Sequence, residues 1–192
     1  ALAAKHGTNL YYEAAVAARR KYHGDAGEAP RLVAMQTRNI GLQMLFWYRV
    51  MRLLAVWRLP LVPLVVSRIM RHAYGADIHP EARFEPGVYL VHGLGLVVSG
   101  KAVVESGCVL FQHVTLGDGV DQATGRSGAP HLCPNVHVAP GATVLGPIEV
   151  GEGSKIAPGA VLMQSVPPRS LISPPPPVIT ARQARPVPGD AA

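Results

Sequence analysis

Eight histidines are the side chains of this 192-residue chain best suited to move a proton near neutral pH, because an unperturbed imidazole titrates near pH 6.5. They are dispersed. No His-x-His or His-Glu-x-x-His spacing occurs, and the two cysteines are not a zinc-spaced pair, so no metal centre is expected. The two cysteines, Cys108 and Cys133, are too few for a disulfide framework. Cys133 has no neighbour in sequence that would favour its thiolate. What remains is proton transfer by imidazole, which serves reactions that need a weak nucleophile activated. Among the histidines, His79 lies in a turn and His137 reads as a solvated strand position. His131 closes a polar, Gly-rich segment over residues 117–131.

The elements that must hold these residues follow a six-residue rule. Leu132, Val138, Val144, Val150, Ile156 and Leu162 recur at steps of six. Four residues after each stand Val136, Ala142, Ile148, Ser154, Ala160 and Val166, and one before those stand Asn135, Gly141, Pro147, Gly153, Gly159 and Ser165. Upstream, Ile78, Phe84 and Leu90 repeat the rule with Ala82, Val88 and Leu94. Val98, Val104, Leu110 and Leu116 repeat it again with Ala102, Cys108, Val114 and Val120. Each hexad is one short strand and one tight turn, and three hexads close a triangular coil. The aliphatic residue points inward, the residue four later is small because it faces a corner, and the turn slot favours Gly or Asn. A single coil cannot bury its own core, so coils stack. The fold class expected is mainly β: a parallel β-helix built of hexapeptide repeats, preceded by an α-helical segment. A β-sandwich would alternate with period two and hold no six-residue register. Two interruptions stand out. The register slips by two residues between Leu90 and Val98, and it breaks between Leu116 and Leu132. A loop thrown out of a regular solenoid is a place where function concentrates.

The chain therefore divides into a helical region over residues 1–75, a β-helix over 76–172 and a Pro-rich tail over 173–192. Helices are expected over residues 8–22, over 36–58 and, after Pro60 and Pro63, over 64–73. Arg49, Arg52, Arg58 and Arg68 leave no charge-free apolar stretch of the roughly 18 residues that a membrane span needs. The arginine-studded apolar segment 40–71 suits oligomer packing first, and peripheral contact with an anionic membrane second. The net charge of +6 fits an anionic partner. Because no run of five or more Lys/Arg occurs, nucleic acid is the least favoured one. Lys5, His6, Glu13 and Arg19 interrupt any apolar leader at the start, and the expected setting is cytoplasmic with reduced cysteines.

The residues match a known family. Asp77-Ile78-His79-Pro80, then Gly87, His92, Val114-Thr115-Leu116-Gly117, the run from Leu145 to Ile156, and Ser165-Val166-Pro167-Pro168 closely resemble serine O-acetyltransferases, within the left-handed β-helix acyltransferases. The match keeps order and spacing over about residues 74–172. The resemblance implies an acetyl-CoA-dependent O-acetyltransferase of cysteine biosynthesis that assembles as a homotrimer, pairs of trimers being the further step in typical members. It implies His92 as general base on the acceptor hydroxyl, with Asp77 orienting its ring. Acetyl-CoA would lie in the groove between neighbouring subunits, along Ala139, Gly141 and Ala157, with Lys155 and Arg182 toward its phosphates. The chemistry is sound in itself: a neutral imidazole takes the proton as the hydroxyl attacks the thioester, and a carboxylate on its other nitrogen stabilises the imidazolium.

The departures are informative too. Members usually carry Asp before the catalytic histidine, and an Arg-His pair before the coil that restarts at Leu132. Here those places hold Val91, Gly128 and Ala129. The missing groups grip serine, so a sugar, polysaccharide or secondary-metabolite hydroxyl is the alternative acceptor, and His113, Arg126 and His131 are candidates to face it. A non-catalytic β-helix scaffold is the reading of another class.

Overall fold

The computed structural model describes residues 39–56, 61–121 and 125–180. The expected helix over 8–22, the ends of the one over 36–58, and Arg182 lie outside the described residues.

Two helices come first. α1 spans Ile40–Val56 and α2 spans Val62–Tyr74. Asn39 caps α1 by accepting the Leu42 N–H on its Oδ1 at 3.1 Å, which satisfies one of the free donors of the first turn. Pro63 sits in the first turn of α2, where no N–H is missed. Gly75 ends it in the left-handed region with φ of 60° and returns its N–H to the Arg71 carbonyl, a role that glycine fills without steric cost.

Beyond Gly75 the chain winds as a triangular prism whose three faces are parallel sheets. The first face stacks Asp77–Ile78, Val97–Val98, Thr115–Gly117, Thr143–Leu145 and Val161–Leu162. The second stacks Arg83–Phe84, Val103–Val104, His131–Leu132 and Glu149–Val150. The third stacks Tyr89–Leu90, Val109–Leu110, His137–Val138, Lys155–Ile156 and Leu171–Ile172. Register keeps like on like: Ile78, Val98 and Leu116 align on the first face, and Leu110, Val138 and Ile156 on the third. These inward residues are buried throughout. The one polar side chain in the small corner slots, Ser154, is also buried, and its hydroxyl donates to the Pro167 carbonyl and accepts the Ser170 N–H.

Two positions depart from the six-residue rule. Leu94 and Val120 are exposed rather than inward. The two extra residues after Leu90 hand the corner slot to Leu96, which is fully buried. Val120 has left the prism, because the excursion after Leu116 is a hairpin in which Gly119–Val120 pairs antiparallel with Ser127–Gly128.

The prism is polar along its axis. N–H groups of each coil donate to the carbonyls of the next, as in Asp77 to Leu96, Val97 to Val114 and Thr115 to Ala142. The first coil is therefore left with unpaired carbonyls, and the helices supply the donors. Tyr48 donates to Ala82 at 2.6 Å, Arg49 to Phe84 at 2.9 Å and Glu85 at 3.3 Å, Arg52 to Pro80 at 3.4 Å, and Ser67 to Ile78 at 3.3 Å. Backbone groups at a solenoid end need such partners.

Candidate active site

His92 lies on the edge where the third face turns into the first. The Gly93 N–H donates back to the Val91 carbonyl at 2.8 Å, so the chain makes a γ-turn with His92 at its apex and φ of 65°. That conformation is uncommon and strained for a residue with a side chain. Val91 and Gly93 are buried while His92 is exposed. Met44 of α1 packs against Gly93 so closely that no Cβ fits there. The imidazole is thus presented to the outside from a turn whose flanks are buried.

The same edge continues through the later coils. His113 donates its N–H to Leu94, Gly141 to Gln112, and Gly159 to Pro140. His113 also has a positive φ of 56°, in the slot that Gly141 and Gly159 fill above it, and its ring covers Gly95. Ala139, Gly141 and Ala157 therefore share one edge with His92. The edge is open there: a Cβ on Gly159 would meet nothing within 4 Å, and one on Gly141 only the Gly159 nitrogen at 3.9 Å. Lys155 is exposed on the third face two residues before Ala157. A thin pantetheine chain with a phosphate-bearing end fits such an edge, where small residues allow close approach and a cation stands beside it.

Asp77 begins the first face. Its backbone N–H is tied to the Leu96 carbonyl at 2.8 Å, but its carboxylate accepts from Arg71 Nη2 at 2.7 Å. No hydrogen bond joins Asp77 to His92 among the described residues. Asp77 instead lines a cavity of about 590 Å³ between α2 and the first face, with Arg71, Lys101 and Asp118.

The other candidates lie elsewhere. His131 is on the second face, where Nε2 meets Glu105 Oε1 at 2.6 Å. Arg126 is exposed on the hairpin, which packs against Gly146 and Pro147 on the edge between the first and second faces. His137 is half-buried rather than solvated. It packs edge-on against Phe111 with ring centroids 5.1 Å apart, and burial, then the charge of Lys155, lowers its pKa from 6.5. Cys108 is buried, and that burial raises its thiol pKa to about 12. Among the described residues no three metal-ligating side chains gather, and no helix is long and apolar enough to cross a membrane.

Comparison with known proteins agrees with this geometry. Residues 129–164 match the bacterial transferase hexapeptide (six repeats) family. The serine acetyltransferase of Synechococcus elongatus is 40% identical over 127 residues, which is 66% of this chain and 51% of that protein. Among solved structures, a serine acetyltransferase from Brucella abortus in complex with coenzyme A superposes with a TM-score of 0.73 at 28% identity, covering 90% of this chain and 65% of that one. The Neisseria gonorrhoeae serine acetyltransferase in complex with serine gives 0.76 at 25% identity, covering 90% and 68%. The prism is therefore a left-handed β-helix of hexapeptide repeats. Within that class, the chain is similar to these serine acetyltransferases. It spans about half the length of the Synechococcus relative.

Proposed function

We propose that the chain transfers an acetyl group from acetyl-CoA to the hydroxyl of serine. Neutral His92 takes the hydroxyl proton as the oxygen attacks the thioester carbonyl. Asp77 turns to the other ring nitrogen and stabilises the imidazolium. The tetrahedral intermediate then collapses, the C–S bond breaks, and the imidazolium returns its proton to the coenzyme A sulfur. The observation that carries this reading is the exposed His92, held in a strained turn on the same open edge as Ala139, Gly141 and Ala157. The complexes of the Brucella and Neisseria relatives with coenzyme A and with serine support both substrates. A homotrimer, with the acetyl-CoA groove between subunits, is part of the same proposal.

A second reading keeps the chemistry and changes the acceptor. Val91, Gly128 and Ala129 stand where serine-gripping Asp, Arg and His are usual, which favours a sugar or secondary-metabolite hydroxyl. If that acceptor is lipid-linked, the exposed Phe46, Trp47, Leu53, Val65 and Ile69 of the helices would rest on anionic lipid, and the protein would cosediment with such vesicles in a salt-sensitive way. The deciding experiment is thiol release from acetyl-CoA with L-serine, L-homoserine and free or nucleotide-linked sugars. His92→Ala is expected to lower turnover by roughly 10²–10⁴-fold. Turnover with a sugar alone selects the second reading. Equal turnover in parent and His92→Ala would remove His92 from the chemistry, and no turnover with any acceptor would leave only a scaffold.

A further inference from the structure

The Asp77 carboxylate is held by a residue that the acetyl-transfer reading does not use. Arg71, in the last turn of α2, donates to Asp77 Oδ2 at 2.7 Å. One helical turn earlier, Ser67 donates to the Ile78 carbonyl. Positions i and i+4 of α2 thus clasp the two successive residues of the strand that opens the β-helix. Gly75, between them, accepts the Gly95 N–H at 3.1 Å and so ties the end of α2 to the turn that follows His92. The backbone of Asp77 is fixed by Leu96, and what can still move is its side chain.

We infer that Arg71 is a positioning residue for the Asp77 carboxylate, holding Oδ2 so that Oδ1 is offered to the His92 ring; this rests on the His92–Asp77 reading above. A carboxylate accepts from two donors at once, so the Arg71 bond to Oδ2 leaves Oδ1 open to a second donor. The other ionisable groups around the pair are Arg68 on α2, His79 and Glu81 after the first strand, Lys101 and Asp118 across the cavity, and His113 along the edge. Lys101 and Asp118 are 3.9 Å apart and occupy each other.

The test reads His92 directly and needs no acceptor. The ring titration of His92 is followed by NMR in the full chain, with His92→Gln assigning the signal. Asp77→Asn is expected to move the midpoint down, because the anion that favours the imidazolium is gone. Arg71→Gln is expected to change it too, because the carboxylate is no longer held with Oδ1 toward the ring. Arg71→Lys keeps the charge and is expected to stay near the parent. In the thiol-release assay Arg71→Gln should move the acid limb with the ring titration and lower kcat roughly three- to tenfold, with the KM for acetyl-CoA unchanged. A helix clamp alone would lower Tm and move neither the titration nor the acid limb. A midpoint that Asp77→Asn shifts and Arg71→Gln does not overturns the role of Arg71 and leaves the His92–Asp77 pair standing. A midpoint insensitive to Asp77→Asn overturns both.

Discussion

His113 occupies a positive-φ position that the repeat itself would give to glycine or asparagine, and His92 occupies another outside the repeat. For His113 the sequence held the signal: it precedes the small-residue slot at Val114, where Gly141 and Gly159 precede Ala142 and Ala160. For His92 the signal was only the two-residue slip after Leu90, since the turn it makes belongs to no hexad. Legibility failed where the relevant contact was made across coils. His137 reads as a solvated strand residue because nothing in its own hexad announces Phe111 beside it. Its lowered pKa has a consequence for stability. A folded-state pKa below the unfolded one gives stability that is present above about pH 6.5 and lost as pH falls through the folded value. Thermal melts between pH 7.5 and pH 5 should therefore show a smaller loss of Tm for His137→Gln than for the parent chain; an identical loss would mean the ring is not desolvated in solution. Cys108, in contrast, behaves as the hexad rule says, as a small apolar residue in a corner slot. With its pKa pushed up to about 12 and its Sγ–H directed to the Cys133 carbonyl at 3.1 Å, it should stay unmodified by an aromatic disulfide reagent at pH 8. Denaturant should expose it, and labelling of Cys108 in the native protein, read by peptide mass, would contradict the burial.

At the scale of elements, the strands were legible because a period of six with inward aliphatics has few other physical meanings. The purpose of the helices was not. An apolar, arginine-rich segment suits oligomer packing or a lipid surface equally well in sequence, and only the direction of the hydrogen bonds along the prism explains why Arg49 and Arg52 are there. They answer the carbonyls of a first coil that has no coil beneath it. Tyr48 is central to that arrangement: its hydroxyl donates to Ala82 at 2.6 Å and accepts the Phe84 N–H at 3.1 Å, while its ring packs on Phe84 at a centroid distance of 4.8 Å. Tyr48→Phe keeps the packing and leaves two buried backbone groups without partners. The expected cost is about 1–3 kcal/mol, read as a lower urea midpoint with an unchanged slope. A midpoint within error of the parent would mean that water reaches the first coil and the helices do not seal it.

At the scale of the whole molecule, exposed apolar side chains among the described residues gather on the first face and on the helices. Val97, Val161 and Met163 are exposed on or beside the first face, and Phe46, Trp47, Leu53, Val65 and Ile69 on the helices. Single exposed apolar residues are ordinary, but aligned ones on two elements mark an interface. The open edge of Ala139, Gly141 and Ala157 offers a bound pantetheine only one wall. In the proposed trimer a neighbouring subunit would supply the second wall and so tie assembly to ligand binding. Sedimentation equilibrium should then return three times the 20.4 kDa of the chain. A ligand that binds only the folded assembly stabilises it by about 2.7 kcal/mol at a hundred times its dissociation constant, so acetyl-CoA should raise Tm by several degrees. Val161→Asp puts a charge on the exposed side of the first face, three coils from His92. If the groove is formed between subunits, this one change should lower the mass and abolish the acetyl-CoA shift together. A monomeric Val161→Asp protein that keeps the full shift would confine the groove to a single chain.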